Sequence, residues 1–121
     1  MKGYILIVDD EPAILESLQY LLEYEGYAVK TTPKGDIVMN MSETNNSYPR
    51  LIILDMFLSG SDGRDIVRKL KLSPQTHDIP VMMISAYPNA NREAEMVGAD
   101  DFIPKPFEMN DLLGKVRKFI H

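Results

Sequence analysis

The chain of 121 residues contains no cysteine, which excludes a disulfide scaffold, a thiolate metal site and a cysteine nucleophile together, and fits an intracellular, cytoplasmic protein. It also lacks any long hydrophobic run. The opening Met1-Lys2-Gly3-Tyr4-Ile5-Leu6-Ile7-Val8-Asp9-Asp10 reaches two acids after a short apolar stretch, too soon for a signal-peptide core or a membrane helix. Positive charge is scarce. Thirteen Lys and Arg face 18 Asp and Glu, a formal net charge of -5, so the basic surface that grips a phosphate backbone is missing and direct nucleic-acid binding is disfavoured. No Gly-rich loop leads into Lys-Ser or Lys-Thr, and Gly60 with Gly63 is too sparse a pair for a dinucleotide fingerprint, which argues against nucleotide hydrolysis. Neither histidine is placed for chemistry: His77 falls in a loop and His121 ends the chain, so both read as solvent-exposed. Repeats, low-complexity tracts and linker-like stretches are absent as well, which leaves one domain over 1–121 as the expectation.

What is present is an ordinary globular composition, 45% hydrophobic and 26% charged, in a chain long enough to bury about two thirds of its unfolded surface. Tyr4 to Val8 is a continuous apolar run, the pattern of a strand buried on both faces of a parallel sheet, and it ends at Asp9. Pro12 can open a helix, along which Ile14, Leu18, Leu21 and Leu22 recur at helical spacing until Gly26. Tyr27 to Thr31 reads as a second strand, and Lys34 to about Asn45 as a helix before the loop Asn46-Ser47-Tyr48-Pro49. Leu51 to Leu54 repeats the buried-strand pattern and ends on Asp55, with Ile66, Val67 and Leu70 striping the helix that follows. Pro80 introduces the strand Val81-Met82-Met83-Ile84, which ends at Ser85 and gives way to a helix over 89–97. Asp101-Phe102-Ile103 forms a last short strand, and Leu112, Leu113, Val116, Phe119 and Ile120 line a closing helix. Five βα units imply a doubly wound α/β fold, a five-stranded parallel sheet with helices on both faces. The usual strand order for such a chain, 2-1-3-4-5, places a crevice beyond the carboxyl ends of strands one and three.

Asp9, Asp10, Asp55, Ser85 and Lys105 all fall at that edge. Three carboxylates there repel one another unless a cation and the lysine neutralise them, and an all-oxygen set with room for water and phosphate suits Mg²⁺. Such an arrangement makes Asp55 a nucleophile toward a phosphoryl group, with Asp10 the principal metal ligand, Asp9 assisting through water, Lys105 holding phosphate oxygens and Ser85 donating a hydroxyl hydrogen bond. Each residue alone has a plainer explanation: the acid pair as a helix cap, Asp55 as a turn residue, Ser85 as a cap, Lys105 as a solvated charge. All four would have to hold independently at one sheet edge. Met82, Met83 and Met96 read as core filling, and Arg64, Arg68 and Lys71 as a solvated helix face.

These residues resemble, over essentially the whole chain, the receiver domain of two-component response regulators. The likeness rests on Ile7-Val8-Asp9-Asp10, on Leu54-Asp55-Met56 followed by Asp62-Gly63, on Ile84-Ser85-Ala86, and on Lys105-Pro106-Phe107. It implies phosphotransfer to Asp55 from a histidine kinase or phosphotransfer protein and Mg²⁺ held by Asp10, Asp55 and the backbone carbonyl of Phe57. It further implies signalling through Ser85 and Phe102 to a partner or output domain, and a cis peptide between Lys105 and Pro106. Many family members carry a proline four residues past the acceptor; Ser59 stands there, which predicts a more mobile loop. Phe57 and Tyr87 match positions that gate the attacking water, and two bulky rings there predict slow self-dephosphorylation. The chain closes just past its last helix, which fits a stand-alone receiver or one cut from a longer regulator, and leaves room for a homodimer linked to phosphorylation. Two other readings share the fold: an interaction module that is never phosphorylated, and an aspartyl-phosphate phosphohydrolase. The second needs an acid two residues past the nucleophile, where Phe57 stands.

Overall fold

The structure, a computed structural model, describes residues 3–41 and 48–120. In chain order its elements are β1 (Ile5–Val8), α1 (Pro12–Tyr24), β2 (Val29–Thr32), α2 (Asp36–Met39), β3 (Leu51–Asp55), β4 (Phe57–Leu58) and β5 (Ser61–Asp62). There follow α3 (Gly63–Leu72), β6 (Val81–Ser85), α4 (Ala90–Met96), β7 (Asp101–Pro104) and α5 (Met109–Phe119). Five strands form one parallel sheet in the order β2-β1-β3-β6-β7, the expected 2-1-3-4-5 once the short ribbon β4-β5 is set apart.

The three central strands, β1, β3 and β6, are buried at every position, as their unbroken apolar runs require. Alternate residues of each strand feed opposite cores. Leu6, Val8, Ile52, Leu54, Val81 and Met83 meet Val38, Ile66, Val67, Leu70, Ala90 and Ala94, so α2, α3 and α4 cover that face. Ile5, Ile7, Leu51, Ile53, Met82 and Ile84 meet Leu18, Leu22, Leu112, Leu113 and Val116 of α1 and α5 on the other. Full burial of one such side chain stabilises the fold by roughly 1.5–3 kcal/mol, and the two layers together hold the sheet between both helix sets.

Some sequence expectations shift. The second strand runs Val29–Thr32 rather than 27–31, at the sheet edge. Of the helix expected over 34–45, four residues are helical, Asp36–Met39; its continuation over 42–45, and Asn46 and Ser47 of the loop, lie outside the described residues, as does His121. Met82 and Met83 are core, but Met96 is 77% exposed, because Ala90 and Ala94 form the buried stripe of the short α4 and Met96 points away from it.

The sequence reading omitted the β4-β5 ribbon. Phe57 pairs with Asp62 and Leu58 with Ser61 across a two-residue turn, Ser59-Gly60, in which Gly60 adopts φ 80, a region open to glycine at little cost. Asp62 then caps α3 by accepting the Arg64 N–H at 2.9 Å. Gly63, the first residue of α3, donates its N–H to the Met56 carbonyl at 2.6 Å; a Cβ there would lie 2.6 Å from the Asp55 carbonyl oxygen. Only glycine lets helix and strand end approach so closely. Among the described residues, no helix is long and apolar enough to cross a membrane.

Candidate functional site

Parallel register assembles the site. Val8 pairs with Leu54, so Asp9 follows β1 level with Asp55 at the end of β3. Asp55 pairs with Ile84, one residue before Ser85, and Ser85 pairs with Pro104, one residue before Lys105. The Lys105 N–H donates to the Ser85 carbonyl at 2.9 Å, carrying the pairing past the strand end. The Lys105–Pro106 peptide bond is cis.

Each of Asp9, Asp10 and Asp55 presents a carboxylate oxygen within 4.8 Å of the others. Asp9 is 0% and Asp55 7% exposed, while Asp10 sits at the rim. Lys105 Nζ lies 3.0 Å from Asp9 Oδ2, 3.6 Å from Asp55 Oδ2 and 2.8 Å from Glu11 Oε1. One ammonium thus serves several carboxylates, and the electrostatics register the shortfall. Burial, reinforced by the charge of Asp9 and opposed by Lys105, pushes the Asp55 carboxyl up to about 6. Burial also works against the Lys105 ammonium, but Glu11, Asp9 and Asp55 outweigh it and hold the pKa well above the ordinary lysine range. Asp10 is held below the usual carboxylate range, chiefly by the hydroxyl of Ser59.

This donor set fits a hard divalent cation. It offers carboxylate oxygens and no nitrogen or sulfur ligand, its negative charge exceeds what Lys105 can neutralise, and the fully buried Asp9 carboxylate shares that one ammonium with Glu11 and Asp55. Carboxylates taken out of water with less than one cation apiece are destabilising, and a divalent ion supplies the charge they lack.

Ser85 is buried, and its Oγ accepts the Tyr87 N–H at 3.1 Å. It lines a cavity of about 440 Å³ together with Tyr87, Ala90 and Phe102, the last half-buried on β7. The Phe57 and Tyr87 rings meet edge to face with centroids 4.8 Å apart, and Tyr87 is 63% exposed. The structure therefore brings Asp9, Asp10, Asp55 and Lys105 into one cluster, sets Ser85 beside it, and places Phe102 one strand farther out across the cavity.

Three contributors escaped the sequence reading. Glu11, the acid after the Asp pair, is a partner of Lys105. Ser59 does not leave its loop free: its N–H and hydroxyl both donate to Asp10 Oδ2, at 3.0 and 2.7 Å. Arg64 is no solvated charge, since it forks onto Asp62, pairs with Glu93 of α4 and stacks 5.0 Å from the Phe57 ring centroid. Lys71 is likewise engaged, by Asp100, while Arg68 stays on an exposed face beside Asp65. The tripeptide Asp9-Asp10-Glu11 and the Ser-Gly turn were the available signals; the partners were not.

Comparison with known proteins points one way. The family model described as the response regulator receiver domain matches residues 5–117. The chain is 35% identical over 126 residues to the phosphate regulon transcriptional regulatory protein PhoB of Rhizobium meliloti (strain 1021), covering 99% of this chain and 53% of that protein. It spans about half the length of the curated relatives it matches first. Among solved structures, the signal receiver domain of a signal transduction histidine kinase from Syntrophus aciditrophicus superposes with a TM-score of 0.87 at 32% identity, covering 98% of this chain and 89% of that one. The receiver domain of NtrX from Brucella abortus does so with 0.83 at 34%, covering 96% and 97%.

Proposed function

We propose, from the premise that this chain belongs to the response regulator receiver domain family, that its phosphoacceptor is Asp55 and its cation site is formed by Asp10 and Asp55. Asp9 acts there through a bound water and the Phe57 carbonyl completes the set. The observation that carries the reading is the meeting of Asp55 with the carboxylate oxygens of Asp9 and Asp10, all within 4.8 Å of one another, and with the Lys105 ammonium at 3.6 Å. With its pKa near 6, Asp55 is largely ionised at neutral pH and available as a nucleophile. One of its oxygens forms a bond to phosphorus as the P–N bond of a phosphohistidine on the donor breaks, leaving an aspartyl phosphate and a histidine that takes up a proton. Lys105 holds a phosphoryl oxygen through the transfer. A bound Mg²⁺ supplies further neutralisation of the phosphoryl oxygens.

In the phosphorylated chain, Ser85 turns its hydroxyl toward the new phosphoryl group and draws in the loop of Tyr87, while the Phe102 ring moves into the space of the adjoining cavity. A histidine kinase or a phosphotransfer protein is the donor, and an output domain or a separate protein the recipient. The family signals and does not turn over a substrate; for this chain we propose slow self-phosphotransfer and self-dephosphorylation only. The Phe57 and Tyr87 rings, which meet edge to face, support this reading as bulk that would obstruct an attacking water.

Intact mass after incubation with Mg²⁺ and a small phosphodonor tests the acceptor: the parent gains one phosphoryl group and Asp55→Asn gains none. No gain with any donor would sink the reading and favour an interaction module on the same fold. Phe57→Asn should shorten the lifetime of the phosphorylated form, because the smaller side chain opens the path of the attacking water; an unchanged decay rate rules out the gate.

A further inference from the structure

Asp10 differs from its two neighbours. Asp9 and Asp55 are buried and lie beside Lys105, whereas Asp10 sits at the rim and meets a different partner, Ser59, across 49 residues of sequence. The Ser59 N–H and hydroxyl converge on the same carboxylate oxygen, Oδ2. Two donors on one oxygen hold the Asp10 carboxylate in one orientation at the rim of the cluster. Ser59 is the first residue of the tight turn joining β4 to β5, and β4 begins two residues past Asp55, so the turn is anchored at one end to the acceptor strand. A proline at this position would offer neither donor.

We infer that Ser59 is a positioning residue for the cation site, acting through Asp10. This rests on the cation site proposed above. A partly exposed aspartate otherwise samples several rotamers, and holding it in one reduces the freedom lost when an ion binds. Hydrogen bonds to a ligating carboxylate fix which oxygen is presented, and their removal weakens metal binding even though the donor never touches the ion.

Titration calorimetry of the unphosphorylated chain with Mg²⁺ tests this directly. Ser59→Ala, which removes the hydroxyl, should bind Mg²⁺ about tenfold more weakly, the low end for a residue that orients a metal ligand. Ser59→Pro, which also removes the N–H, should bind more weakly still, and Ser59→Thr should stay within about twofold of the parent because it keeps both donors. Ser59 is exposed at a turn, and the melting temperature of each variant in EDTA should match the parent. Unchanged binding in both Ser59→Ala and Ser59→Pro overturns the inference alone. Tighter binding in either overturns it too, because the serine would then compete with the ion. A parent chain that binds no Mg²⁺ overturns the inference and the cation site with it.

Discussion

Two lysines sit at opposite edges of the same sheet in opposite electrostatic circumstances. At the edge where β6 and β7 begin, Lys71 contacts Asp100 Oδ2 at 2.8 Å and the Ile79 carbonyl at 3.0 Å, and the same Asp100 oxygen accepts the Val81 N–H at 2.8 Å. One cation meets one anion, and each remaining neighbour is a dipole of the right sign. At the edge where the strands end, Lys105 lies among Asp9, Glu11 and Asp55, with Asp10 close by. The first cluster is satisfied and ties α3 to the start of the strands. The second is short of positive charge, and that shortage is what a cation and a phosphoryl group can use. Local charge balance, more than the presence of ion pairs, separates a structural contact from a chemical one.

Removing the ammonium from each cluster should break the comparison in opposite ways. Lys105→Met should slow phosphoryl gain at Asp55 by about 100-fold or more, the usual effect of deleting one donor aimed at developing charge, read as the rate of mass increase with a small phosphodonor. A rate within a fewfold of the parent would show that the lysine only balances charge. Asp100→Ala should leave that rate untouched but lower the stability measured in urea by about 2 kcal/mol, since the Val81 N–H and the Lys71 ammonium both lose their acceptor. Slower transfer in Asp100→Ala would mean that the two edges are not independent.

The smallest expected effect sharpens the comparison through pH. Asp55 has a raised folded-state pKa, about 6, so between its unfolded value and 6 the native chain binds more protons than the unfolded one. Stability in EDTA should therefore be greatest near pH 4 as far as this group is concerned, fall as pH rises to 6, and level off above. Asp55→Asn removes that dependence and should exceed the parent in stability by on the order of 1 kcal/mol at pH 7, with the gap closing as pH falls toward 4. A gap that widens on acidification would contradict the electrostatics of the site.

Much of this was legible in the sequence because parallel strands make it so. Unbroken apolar runs ending on Asp9, Asp55 and Ser85 fix both the strands and the edge at which those side chains emerge, and chain order supplies Lys105 at the same edge. What the sequence concealed depends on reach across space. Glu11 finds Lys105 over 94 residues and Ser59 finds Asp10 over 49, and neither spacing carries a local signal. Arg64 looked like a surface charge because its helix position was right for one; its partners come from the residue that caps α3 and from α4. The β4-β5 ribbon has two residues per strand, too few for alternation to show, and α4 is too short for a single methionine to reveal which side faces inward.

The hydrogen atom that serves as the side chain of Gly63 has a consequence for direction. Because α3 begins against the carbonyls of Asp55 and Met56 with no space between, the acceptor backs onto a stiff wall. Along the neighbouring strand β6 lie Ser85, the loop of Tyr87 and the hollow beside Phe102. If Asp55 takes up charge as proposed, that charge would push against something hard on one side and something yielding on the other, and the proposed message would leave through the yielding side.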